Sequence, residues 1–225
     1  MSRTEALRIG FFAVCAADLA ALLAGLDTAH TVLKPLLMPA LVAYVVARGG
    51  PRPLCGALLL GWGGDVLLLF DQDAAFLAGM GCFAAGHICY LVLFKRYGTP
   101  RARGSMLGIV YVVVLSNTVA ALWPDLPADM RVPVAVYSVL LTAMAFGASR
   151  LGRTAGIGGA LFLLSDSLIA LGVAEWPEVW QQDFWIMLTY VAAQYLLARG
   201  VLDARGAGGA AYRDEERAET RRTPH

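Results

Sequence analysis

The chain has 225 residues, of which 58% are hydrophobic and only 16% charged, with a mean hydropathy of +0.62 and a net charge of +1. An ordinary soluble domain carries about a quarter charged residues, so this composition excludes a soluble globular enzyme and a basic nucleic-acid-binding surface. Apolar runs long enough to cross a bilayer, about 17 to 25 residues, recur at 8–26, 31–47, 54–70, 74–95, 105–123, 131–148, 156–174 and 183–202. Eight such runs leave no room for a soluble domain, and the chain reads as an all-α bundle of eight transmembrane helices over residues 1–204.

In chain order, the first run contains Asp18; residues 1–29 faintly resemble a signal peptide, but that aspartate argues against cleavage. The second holds Lys34-Pro35 and Pro39. Proline removes a backbone donor, so this helix is expected to kink, and the carbonyls it frees must face protein or water. Gly61, Gly63 and Gly64 precede Asp65 in the third run, and Gly79, Gly81 and Gly86 surround His87 in the fourth. Small residues of this kind let helices approach closely. The fifth run carries Asn117, the seventh Ser165 and Asp166, and the eighth Tyr190 and Gln194. From Arg205 the chain has no apolar face to bury and is expected to form a disordered cytoplasmic tail over 205–225.

With the N-terminus taken as cytoplasmic, 16 of the 18 basic residues fall on that side. They are Arg3, Arg8, Arg48, Arg52, Lys95, Arg96, Arg101, Arg103, Arg150 and Arg153, with six more at Arg199 and along the tail. Arg131 alone falls in an outer loop, and Lys34 lies inside a helix. This is the positive-inside pattern, and it places both termini in the cytoplasm. Trp123, Trp176, Trp180 and Trp185 fall near the outer interface, where indoles anchor. The abundance of Ala, Gly and Arg suggests a GC-rich bacterial genome, hence a multi-pass protein of the inner membrane.

Five ionisable residues lie within the apolar runs: Asp18, Lys34, Asp65, His87 and Asp166. Asp65 and Asp166 each stand thirteen residues past the preceding arginine, Arg52 or Arg153, which puts both at one depth, about 20 Å in at 1.5 Å per residue. Charged groups in hydrocarbon are costly and usually functional. Neighbouring carboxyls disfavour joint ionisation, and a proton-sharing pair is what acid–base chemistry uses. A water-filled pocket between the second, third, fourth and seventh helices would gather them; the alternative for Asp65 and Lys34 is a buried ion pair that only fixes helix packing. Histidine is too scarce for a three-histidine zinc site: the others are His30, read as a loop residue, and His225. No Gly-x-Ser-x-Gly elbow and no nucleotide-binding glycine loop is present, so neither a metal nor a cofactor is expected. The four cysteines are embedded in apolar sequence and read as packing residues.

Lys34-Pro-Leu-Leu-Met-Pro39, Gly64-Asp65 with Val-Leu-Leu-Leu-Phe70, Phe83-x-x-x-His87-x-x-Tyr90 with Phe94, and Phe162-x-x-Ser165-Asp166-Ser167 together resemble the YhhN family, which includes the lysoplasmalogenases. The resemblance implies an eight-helix membrane enzyme that hydrolyses the vinyl ether of a lysoplasmalogen, a lysophospholipid bearing ethanolamine or choline, to a fatty aldehyde and the glycerophospho-headgroup. On that reading Asp65 and Asp166 are the catalytic acid and base. Lys34 binds phosphate or supports a carboxylate, His87 and Asn117 orient water or headgroup, and Tyr90 and Ser165 belong to the same motifs. Membrane lipids are the surroundings. A proton-coupled carrier and a non-catalytic lipid-binding scaffold are the rival readings.

Overall fold

A computed structural model describes residues 1–99 and 104–222, with side chains described up to Ala207; Arg101 and Arg103 therefore lie outside the described residues. Among the described residues there are eight α-helices: α1 (Arg3–Leu23), α2 (Asp27–Ala47), α3 (Arg52–Leu67), α4 (Asp73–Tyr97), α5 (Gly104–Leu122), α6 (Arg131–Ala148), α7 (Arg153–Val173) and α8 (Gln182–Arg222). No strand occurs among the described residues. Six of the eight are long and apolar enough to cross a membrane; α3 has 16 residues and the apolar part of α5 spans Met106–Leu122. Each apolar run became one helix, with ends shifted by a few residues. The helix α8 runs on to Arg222, through most of the stretch expected to be disordered; residues 223–225 and the side chains beyond Ala207 are outside the description.

Successive packing seams join α1 to α2, α2 to α3, α3 to α4, α4 to α6, α6 to α7 and α7 to α8. The helix α8 closes the ring onto α1 and also reaches α2, α3 and α4, so it acts as the central post. Its apolar half is accordingly the most buried of the membrane-length helices, with Met187, Tyr190, Ala193, Gln194 and Leu197 all inside. By contrast, α5 leans on α6 and barely on α7, with Ile109, Val112 and Val113 facing outward. Outward apolar side chains on the other helices, such as Ile9, Val46, Ile88, Val136 and Ile157, complete a lipid-facing surface.

Two prolines sit inside α2 without ending it. Pro39 has no N–H for the Pro35 carbonyl, and the indole N–H of Trp62 on α3 donates to that oxygen at 2.8 Å. The freed acceptor is thus satisfied by protein, as the low-dielectric setting requires. One end of the bundle gathers Arg48, Arg52, Lys95, Arg96, Arg150 and Arg153 at helix termini. At the other end, Leu122, Leu126, Met130, Val134 and Ala174 form a small separate core. There Arg131, the first residue of α6, donates to the Leu126 and Pro124 carbonyls and lies over the Trp123 ring.

Candidate active site

Because α3 begins at Arg52 and α7 at Arg153, both aspartates stand thirteen residues into their helices. For α3 that is two residues from its last turn's end, so Asp65 lies close to the tryptophan-rich end of the bundle. The two helices share no packing seam, however, with α4 and α8 coming between them. Asp65 and Asp166 are in electrostatic range, yet no hydrogen bond joins them among the described residues, and each is held by its own tyrosine. A directly shared proton is therefore not the arrangement.

Asp65 is 3% exposed and accepts a 2.7 Å hydrogen bond at Oδ2 from the Tyr190 hydroxyl. Gln194 Nε2 donates to that hydroxyl at 3.2 Å, and the Tyr90 hydroxyl donates to Gln194 Oε1 at 2.7 Å. All four groups are buried, and the direction of each bond is fixed from Tyr90 to the carboxylate. The fit depends on glycines: a Cβ on Gly61 would lie 2.9 Å from Gln194 Nε2 and 3.1 Å from the Tyr190 oxygen. A Cβ on Gly64 would meet the Phe83 ring at 2.5 Å.

Asp166 is half-buried and accepts a hydrogen bond at Oδ2 from the Tyr137 hydroxyl on α6. His87 Nε2 stands 3.1 Å from the same hydroxyl. With Tyr137 donating to the carboxylate, His87 must donate from Nε2, which sets its tautomer. Edge-to-face contacts among Phe83, Phe162 and Tyr190, and between Phe162 and His87, link the Asp65 and Asp166 halves through packed rings.

Asp166 and Tyr137 also line an open cleft between α4, α5, α6 and α7. The walls are mostly apolar, with Phe76, Met80, Leu115, Leu141 and Ile169 among them, and the Thr142 hydroxyl in its lining has no hydrogen-bond partner among the described residues. Asp65 does not reach the cleft; Phe83, seated on Gly64, does.

The remaining sequence candidates divide. His87 and Tyr90 join the two carboxylate networks. Ser165 is buried and donates to the Ile186 carbonyl, tying α7 to α8. Asn117 is exposed on α5 and donates to Val113 of its own helix, with no bond to either aspartate among the described residues. Lys34 is half-buried within electrostatic range of Asp65, but makes no ion pair among the described residues. His30 is not in a loop: it lies in the first turn of α2 and bonds to Asp18 at 2.8 Å. Tyr137, Tyr190 and Gln194 were visible only as polar residues in apolar runs, and their attachment to the carboxylates is tertiary. No group of three or more His, Cys, Asp or Glu among the described residues is placed to hold a metal ion, and all four cysteines are free.

An apolar helical bundle with two tyrosine-held carboxyls, one facing an apolar cleft, defines a multi-pass membrane protein equipped for acid–base chemistry on an apolar molecule. The chain matches the YhhN family model over residues 29–201, and it belongs to that family. It is 32% identical to rat lysoplasmalogenase TMEM86B over 175 residues, covering 77% of this chain and 72% of the relative. Human lysoplasmalogenase TMEM86B is 33% identical over 170 residues, with 75% and 72% covered. The lysoplasmalogenase of Mycobacterium tuberculosis is 33% identical over 196 residues, with 79% and 74% covered. No solved structure matches the chain.

Proposed function

We propose that this protein is a membrane-embedded lysoplasmalogenase: it hydrolyses the vinyl ether bond of a lysoplasmalogen to a fatty aldehyde and the glycerophospho-headgroup. The observation that carries this reading is the position of Asp166, a carboxyl held by Tyr137 and His87 at the wall of an apolar cleft. The names of the relatives supply the bond that such a carboxyl would attack. In this account the alkenyl chain lies in the cleft, and the whole bundle sits in a bacterial inner membrane with all eight helices spanning and both termini cytoplasmic.

Vinyl ethers hydrolyse by protonation at the β-carbon. The proton leaves one carboxyl, the C=C π electrons form the new C–H bond, and the cation is shared between the α-carbon and the ether oxygen. Glycosidases stabilise a similar cation with two carboxyl groups. Water adds to the α-carbon and gives its proton to the second carboxylate. The hemiacetal then collapses as the C–O bond to glycerol breaks: the glycerol oxygen takes the proton that Asp65 gained, the hemiacetal hydroxyl gives its proton to the Asp166 carboxylate, and the aldehyde is released with both carboxyls back in their starting states. Asp166 meets the lipid and acts as the acid, while Asp65 serves the water. Tyr137 donates to the carboxylate that Asp166 becomes, so its hydrogen bond is strongest once the proton has left, which is when it accelerates the step. No metal is assigned a role.

Purified protein should release aldehyde from a lysoplasmalogen and none from the ether analogue with a saturated chain, which cannot be protonated at carbon. Equal release from both, or cleavage of an ester-linked lysophospholipid instead, would contradict the assigned bond.

A further inference from the structure

The acid–base account leaves one buried carboxylate unused. Asp18 on α1 is fully buried; its Oδ1 is paired with His30 Nδ1 at 2.8 Å, while Oδ2 is buried and has no partner among the described residues. A buried acceptor without a donor loses its hydration with nothing in return. In native proteins such atoms are normally satisfied by an ordered water. His30 opens the other way, with 16% of its side chain exposed at the start of α2.

Lys34 stands one turn further along α2, on the same face as His30. Asp65 on α3 is within electrostatic range of Asp18, His30 and Lys34. Cys15 on α1 is near Asp18, and Tyr190 on α8 closes the far side of Asp65. His30 at the surface, where α1 ends and α2 begins, and the buried Asp18 bonded to it are the groups from which a polar route to Asp65 would start.

Hydrolysis needs two reactants that avoid each other. The cleft is walled by apolar side chains, and an alkenyl chain filling it would exclude water. We propose that Asp18, His30 and Lys34 form a separate water inlet, in which Asp18 Oδ2 holds a water bound for Asp65. Asp18 is a positioning residue here and touches no lipid. Phe83, which rests on Gly64 beside Asp65 and lines the cleft, is the side chain the water passes to meet the lipid-derived cation. The proposal rests on the hydrolase reading for its use of the water. Asp18 lies outside the segment 29–201 that matches the family model, so the family match says nothing of it.

The test uses the purified full chain and two readouts. Asp18→Asn should lower kcat about tenfold, the effect of one lost hydrogen bond to a charged group, with KM for the lipid within about twofold. His30→Gln is the second variant and should act alike. Asp18→Cys and His30→Cys should each gain one adduct from a small water-borne thiosulfonate, counted by intact mass against the wild-type chain with its own four cysteines. Unchanged kcat in Asp18→Asn with only a lowered melting temperature would reduce the pair to packing and overturn the inlet. Failure of both cysteines to gain an adduct would overturn it as well. If the wild type releases no aldehyde while both cysteines are labelled, the hydrolase reading fails and the water-accessible site stands.

Discussion

Asp65 and Asp166 carry the same functional group in different surroundings. Asp166 borders the cleft and takes its hydrogen bond from a tyrosine that borders it too. Asp65 is sealed behind Phe83 and takes its bond from a chain of three buried groups. Removing the Tyr137 hydroxyl should therefore act on chemistry. A hydrogen bond to a charged group contributes about 1.5–3 kcal/mol, so Tyr137→Phe should lower kcat about 10- to 100-fold while KM changes little. A rise in KM at constant kcat, measured by aldehyde release, would show instead that Tyr137 only shapes the cleft. Both aspartates were legible in the sequence because a charge inside an apolar run stands out. Their tyrosines were not, since a tyrosine in such a run is ordinary until its partner on another helix is known. The same limit applies to Lys34, which lies within electrostatic range of Asp65 without an ion pair among the described residues.

Helices were the most legible level. Each apolar run gave one helix, and the spacing from Arg52 and Arg153 carried over to the helix starts. Which helix takes the centre could not be read. In a membrane, lipid and protein interior are equally apolar, so a buried face needs no distinctive hydrophobic stripe. The central place of α8 and the peripheral place of α5 follow from packing, and with them the roles of Gln194 and Asn117. Close approach of α3 to α8 is where packing and site meet. Gly61→Ala would press a methyl group against Gln194 and Tyr190, and overpacking of this kind costs about 1–3 kcal/mol. It should lower both the melting temperature and the turnover. Gly10→Ala, whose Cβ would meet nothing within 4 Å, should leave both unchanged or slightly raise stability, because alanine favours the helix. Equal behaviour of the two variants in thermal unfolding would show that the α3–α8 contact is loose.

At the scale of the molecule, the basic residues concentrate at one end and the tryptophans at the other. The eight spans proposed above would put both chain ends on the basic side. A reporter fused to either terminus should be shielded from external protease in intact cells and digested after permeabilisation. Digestion of one terminus in intact cells would mean an odd number of spans. α3 is the helix most at stake, being shortest and placing Asp65 near the opposite face.

The central claim is that two carboxylates on helices that share no packing seam carry out one hydrolysis. Its most direct test is aldehyde release from a lysoplasmalogen by the wild type, Asp166→Asn and Asp65→Asn, each purified and shown to unfold cooperatively at a similar temperature. The account predicts that both variants lose turnover by about two orders of magnitude or more, the scale of general acid–base catalysis, while still binding lipid. Wild-type turnover in either folded variant would contradict it.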